Sequence, residues 1–184
     1  HTVAAYQVAG RLDMLVFLPI FSIAASLTTL VGMFYGAKEY GALRYIIKYG
    51  ILSALLITII SSVIVYTFAG HVVRFFTDDV SIVIIAVNFL QIFAFAYPFI
   101  SVGITTGRVL QGLGKGLPVL IITIVRVLGV SAPLALFFVF IMDKTVEWVW
   151  YSMMLSTVVA FCIGLTWLFS TLKTLPTSRQ SLNN

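Results

Sequence analysis

GRVLQGLGKGLPVLIITIVR, residues 107–126, places four glycines, three cations and a proline at the edge of a long apolar run. Glycine-rich loops that end in lysine can cradle phosphate, so the stretch is first read against that chemistry. A phosphate loop of the Walker type needs a glycine, four residues, a Gly-Lys pair and then Ser or Thr for magnesium. With Gly114-Lys115 as the pair, the first glycine falls on Val109 and the hydroxyl position on Gly116. The dinucleotide pattern fails as well, because Gly116 follows Gly112 and Gly114 one residue too early and no strand precedes them. The other reading is a tight turn between two helices. Gly112, Gly114 and Gly116 let the chain reverse, and Pro118 suits the first turn of a new helix, where its missing N–H costs nothing. Gly103 and Gly107, like Gly112 and Gly116, have the four-residue spacing that lets helices approach closely.

The rest of the chain says what kind of helices these are. Of 184 residues, 61% are hydrophobic and 9% charged, with a mean hydropathy of +1.12. A soluble domain carries roughly a quarter charged residues. The apolar runs are longer than barrel strands and lack their alternation, which predicts an all-α, polytopic membrane protein. The formal charge of +5 is spread over scattered Lys and Arg, with no basic cluster that would suit nucleic acid. Cys162 is the only cysteine and lies in an apolar run, so it is expected to be a small buried hydrophobe. The chain opens on His1, with no charged leader and short apolar core, and is expected to be a fragment lacking an N-terminal part.

Five segments are long enough to span, at about 20 residues each: about 4–36, 43–68, 82–110, 117–142 and 146–172. The ends of GAKEYGALRYIIK (36–48), GRVLQGLGKG and the tail carry Lys38, Arg44, Lys48, Arg108, Lys115, Lys173 and Arg179. The opposite ends carry Arg11, Arg74 and Lys144. By the positive-inside rule the chain starts outside and ends in the cytoplasm of a cell-membrane protein. Residues 1–172 then form the membrane domain, and the polar tail 173–184 is expected to be disordered. Trp148, Trp150 and Tyr151 fall where an outer aromatic belt is expected. GHVVRFFTDDV (70–80) is expected to lie flat at the outer interface, with Val72, Val73, Phe75 and Phe76 in lipid.

Polar side chains within spans are functional candidates by default. Gln7 and Arg11 share a helix face, while Asp13 points elsewhere. Arg11 and Asp13 either line a cavity or sit near enough to the edge to snorkel. Asn88 and Gln91 lead a stripe continued by Phe95 and Pro98, and Tyr97, Ser101 and Thr105 form a second one. These amides either bridge helices or face a cavity. Arg126 lies roughly 13 Å into its helix at about 1.5 Å per residue, too deep to snorkel, and should face protein or water. Pro19, Pro98 and Pro133 each interrupt a span and act as bending elements. No carboxylate pair, catalytic triad or metal-ligand cluster appears in the spans, so neither enzyme chemistry nor a cofactor is expected.

AAYQVAGRLDMLVFLPIFSIAASLTTLVGMFYGAKEYGALRY (4–45), followed by GRVLQGLGKGLPVLIITIVR, resembles the multidrug and toxic compound extrusion (MATE) transporters. The shared elements are Arg11-Leu12, Pro19, Val31-Gly32 with Gly36-Ala37, and the glycine hairpin. The resemblance implies two pseudo-symmetric six-helix lobes that exchange organic cations for H+ or Na+. The five spans would be helices eight to twelve, most of the C-terminal lobe, with the N-terminal lobe absent from this chain. Arg11 matches an arginine of the eighth helix that can face the cavity. Several branches have an acid in the tenth helix where this chain offers only Asn88 and Gln91, so the coupling carboxylates are expected in the absent half. The alternatives are a lipid-linked oligosaccharide flippase of the same superfamily, which should line its cavity with several cations, and a non-transporting scaffold. A scaffold should pack Arg11, Asn88, Gln91 and Arg126 together without a cleft.

Overall fold

A computed structural model describes residues 2–77, 79–138 and 147–176. The chain folds as α1 (Thr2–Gly36), α2 (Tyr40–Arg74), α3 (Val80–Gly112), α4 (Gly116–Ile124), a π-helical segment (Val125–Ser131), α5 (Ala132–Leu136) and α6 (Glu147–Thr174). Helices α4 and α5 with the π segment between them make one continuous span, so among the described residues five helical rods are long and apolar enough to cross a bilayer. Residues 177–184, most of the expected disordered tail, lie outside the described residues, as does the 139–146 connection.

Helix α3 is the axis of the bundle, packed against α1, α2 and α6. Its most apolar stretch is 39% buried, against 11% for α2, which leaves most of its surface outside the bundle. Two apolar clusters fill the interior. One joins Ala9, Leu12, Ala69, Val73, Phe89 and Trp150 at one end. The other joins Leu27, Val31, Leu43, Val109, Leu110 and Leu168 at the opposite end. The C-termini of α1, α3 and α6 and the N-terminus of α2 thus share one end of the bundle, the grouping that the loop charges implied. Arg44 adds a polar tie there, donating from Nη2 to the carbonyls of Leu172 (3.2 Å) and Leu175 (3.0 Å). A cation at the carbonyl end of α6 is also favoured by the helix dipole.

The glycine hairpin has a clear geometry. The N–H of Lys115 donates to Leu110 O at 2.8 Å and that of Gly114 to Gln111 O at 2.9 Å, with Gly114 at φ +75°. This is the Schellman arrangement that ends a helix, and its left-handed residue favours glycine. A Cβ at Gly112 would sit 2.7 Å from the carbonyl oxygen of Thr28 and 2.9 Å from Val31, so α1 and α3 touch backbone to backbone here. Gly32 faces the same contact, 3.6 Å from Gly112 O, and Gly107 meets Val119 at 3.5 Å. Gly36, Gly103 and Gly116 have nothing within 4 Å, so the four-residue spacing marks close approach at only some of its positions. The spacing cannot tell which turn of a helix meets a neighbour. Gly50, which it did not flag, lies against Leu27.

Pro98 does not break α3. Proline leaves the carbonyl four residues earlier without its helical donor, here that of Ala94. The hydroxyl of Ser62 on α2 donates to that oxygen at 2.5 Å. Ser62→Ala should therefore lower bundle stability by about 0.5–1.5 kcal/mol, read as a lower thermal midpoint in detergent. An unchanged midpoint would mean that the carbonyl does not depend on Ser62.

Three local expectations change. Residues 71–74 continue α2 rather than lying flat, and Val73 is fully buried in the apolar cluster while Phe75 is 89% exposed. The helical period carries Val73 inward, which a count of polar residues could not reveal. Trp150 is buried and meets Phe89 edge to face at 5.3 Å, leaving Trp148 and Tyr151 as the outward aromatics. Cys162 is exposed on the outer surface of α6, because in a lipid-facing helix an apolar residue has no need of the core.

Candidate functional site

The polar candidates separate into three places. Gln7 and Arg11 are exposed on α1, outside the two clefts that hold the other candidates. Asn88 and Gln91 border a shallow cleft of about 430 Å³ with Tyr66, Phe95 and Tyr151, where Tyr66 and Phe95 meet edge to face at 5.6 Å. Arg126 lines a different cleft, of about 410 Å³, between α3, the α4–π span and α6, with Phe21 of α1 at its side. Arg11, the two amides and Arg126 are therefore not packed against one another, contrary to what a scaffold requires.

Tyr97 is fully buried, and its hydroxyl donates to Asp13 Oδ1 across the α1–α3 contact. Among the described residues Asp13 has no other polar partner and no cation. The reading of Asp13 as an edge group that snorkels to water is corrected by this contact: the carboxylate is half-buried and directed at α3. A signal for it exists in the sequence. Ala9, Leu12, Ile20, Ala24, Leu27 and Val31 are the buried stripe of α1, and Asp13 falls on that stripe at helical spacing whereas Arg11 does not. Deeper in α3, Ser101 exchanges a 2.9 Å hydrogen bond with Thr58 of α2, and Thr105 donates back to Ser101 O at 2.8 Å. This second stripe holds helices together rather than facing a cleft.

The Arg126 cleft lies where the fourth span is interrupted. A π-helix widens the backbone ladder and often marks functional positions. Here it runs from Val125 to Ser131, and Pro133, which cannot donate to Gly129 O four residues earlier, follows it. Arg126 is half-buried in this segment and has no hydrogen-bond or ion-pair partner among the described residues. Thr106 of α3 lines the same cleft, is 1% exposed, and its hydroxyl has no partner among the described residues. Thr106 escaped the sequence reading because a lone threonine in a span usually bonds its own backbone, as Thr123 and Thr157 do. Arg108 stands at the exposed edge of the cleft and donates to Gln111 Oε1 at 3.3 Å. No group of His, Cys, Asp and Glu among the described residues could hold a metal ion.

Residues 1–137 match the MatE family model. The "Probable multidrug resistance protein NorM" of Thermotoga maritima is 28% identical over 132 residues, covering 72% of this chain and 28% of that protein. Its namesake in Bacillus thuringiensis subsp. konkukian is 28% identical over 171 residues, 91% of this chain and 36% of that protein. The chain thus spans about a third of the length of these curated relatives. Among solved structures, an inward-facing multidrug resistance MATE family transporter superposes with a TM-score of 0.83 at 26% identity, over 94% of this chain and 40% of that one. An outward-facing one gives 0.82 at 28% identity, over 94% and 39%.

Among the described residues, five helices long and apolar enough to cross a bilayer, superposing on solved transporters over 94% of the chain, define a multi-pass membrane protein of the transporter class rather than an enzyme. The chain belongs to the MatE family of multidrug efflux transporters.

Proposed function

We propose that the chain is one lobe of a secondary active exporter that extrudes small organic molecules in exchange for H+ or Na+ by alternating access. The resemblance drawn from the sequence puts organic cations among its substrates, makes the lobe the C-terminal one, and gives it a second, N-terminal lobe as partner. The observation that carries this reading is the equal fit of the bundle to inward-facing and outward-facing transporters, 0.83 and 0.82. A lobe that keeps its internal geometry in both states moves as a body, and the change of access then takes place between lobes. The end bearing Lys38, Arg44, Arg108, Lys115 and Lys173 faces the cytoplasm, with the C-terminus.

Asp13 is the candidate in this lobe for the exchanged ion, being the one acid that lies within a spanning segment among the described residues. An intramembrane carboxylate that meets a hydroxyl and no fixed cation is free to take up a proton or Na+. The expectation that coupling groups lie wholly in the other lobe is thereby narrowed. The test uses the intact protein that contains this chain, in proteoliposomes with an organic cation such as ethidium. An imposed inward H+ or Na+ gradient should drive efflux, and Asp13→Asn should remove the gradient dependence while leaving folded protein. Transport equally driven in the variant would take Asp13 out of the ion path. Efflux indifferent to both gradients would overturn the exchange mechanism.

A further inference from the structure

We infer that Ser62 and Thr58 of α2 lock α3 across Pro98, so that this proline is a clasped joint rather than a hinge and the two helices move as one piece. The lock is a property of the bundle and does not depend on which molecules or ions the protein handles.

The joint is a weak place by its chemistry. A proline inside a helix removes one hydrogen bond and pushes its ring against the carbonyl four residues earlier, so the helix can bend there. In a membrane-spanning helix the freed carbonyl must find its donor within the protein. Here it belongs to Ala94, a residue 1% exposed, and the half-buried Ser62 supplies the donor at 2.5 Å. One turn earlier on α2, Thr58 holds the other side of the joint. Its proton goes to its own helix at Ala54 O, 2.7 Å away, which leaves Thr58 Oγ1 to accept from the Ser101 hydroxyl at 2.9 Å. Thr58 and Ser101 are both fully buried. One turn beyond Ser62, Tyr66 meets Phe95 edge to face.

The placement of these contacts separates a lock from ordinary packing. Ala94 and Phe95 precede Pro98, and Ser101 follows it. All three are held by one face of α2, from positions 58, 62 and 66 at helical spacing. Bending at Pro98 would swing Ala94 and Phe95 relative to Ser101, and α2 would have to release one set or the other. Helix α2 runs unbroken from Tyr40 to Arg74 without a proline of its own, so it serves as a splint. In keeping with this, α3 is one continuous helix from Val80 to Gly112. The expectation that Pro98 is a bending element is thereby reversed.

Four proteins test the lock: the intact protein that contains this chain, Ser62→Ala, Pro98→Ala and the double variant. Amide hydrogen exchange is followed in detergent by mass spectrometry, on peptides covering residues 94–105. Ser62→Ala should speed exchange there about threefold to tenfold, as loss of one hydroxyl bond between membrane helices allows. Pro98→Ala gives Ala94 O a helical donor again, so its exchange should be no faster than the parent's. In that background the further loss of Ser62 should have no effect, a result that general packing by Ser62 would not produce. Equal acceleration by Ser62→Ala in both backgrounds, or none in either, overturns the lock. Should Pro98→Ala not fold, Thr58→Val decides. It nearly keeps the shape while removing the second clasp, and should speed the same peptides about threefold; unchanged exchange overturns the lock. Transport gives a further check. Because the joint does not bend, folded Pro98→Ala should keep gradient-driven ethidium efflux, and loss of efflux would make Pro98 a working hinge. A parent protein without efflux would remove the exporter reading instead, and the exchange rates would still decide the lock.

Discussion

Gly112→Ala should lower the thermal stability of the bundle, whereas Gly103→Ala, nine residues earlier on the same helix, should leave it unchanged or raise it. Both changes add one methyl group to α3, at Gly103 in its interior and at Gly112 in its last position, and alanine is intrinsically the better helix former by up to about 1 kcal/mol in a helix interior. The surroundings reverse the sign at Gly112. The new Cβ would lie 2.7 Å from the backbone carbonyl of Thr28 and 2.9–3.0 Å from the Val31 side chain, itself fully buried. A backbone oxygen cannot swing aside as a flexible side chain can, so α1 and α3 must separate. Overpacking of this kind costs about 1–3 kcal/mol. In lipid the loss is not recovered by apolar contacts elsewhere, because helix association there depends on close packing rather than on the hydrophobic effect. At Gly103 nothing lies within 4 Å of the added atom. Melting midpoints of the two purified variants in the same detergent decide the matter. A Gly112→Ala protein as stable as the parent would mean that α1 and α3 are not held at this distance.

Tyr97→Phe should be the second costly change. The phenol is fully buried, and its hydroxyl is the one hydrogen-bond donor to Asp13 among the described residues. Removing that oxygen keeps the ring, including its edge-to-face contact with Phe17 at 5.4 Å, so packing is retained. What changes is that a half-buried carboxylate loses its partner. Leaving a buried polar group unmet costs about 1–3 kcal/mol, and more for a charged one. Asp13→Asn, which keeps an acceptor oxygen toward Tyr97, should melt closer to the parent than Tyr97→Phe does. The reverse order would show that the carboxylate is satisfied without Tyr97.

Much of this protein could be read without coordinates. Apolar runs of bilayer length fix the five spans, because backbone polar groups have no alternative to helix in lipid. The charge asymmetry of the loops sorts the helix ends, and the glycine hairpin ends α3 as local backbone chemistry dictates. The order of Arg11-Leu12, Pro19 and the Gly32 and Gly36 pair carries the family. The span limits agree within a few residues, apart from the end of α2, which the polar content of residues 70–80 disguised, and the end of the fourth span, which was expected near residue 142 and falls outside the described residues.

The site was less legible. Arg126 stood out on depth alone, since an ionisable group far inside a span must face something polar. Asp13 was legible in the stripe of α1, yet its closeness to the end of the helix made a solvated edge equally acceptable to the sequence. Only packing brings Tyr97, 84 residues away, onto it. Thr106 had no sequence signal, because whether a hydroxyl bonds its own helix depends on its rotamer and on the neighbouring wall. The sequence by itself determined the number of helices, their relative direction and the family, all set by local composition and by the solvent the chain must live in. The tertiary structure decided which polar groups meet, which glycines touch a neighbour, and which cleft holds an unpaired charge. Those depend on the rotation of each helix about its axis, and that angle is fixed by contacts between residues far apart in the chain.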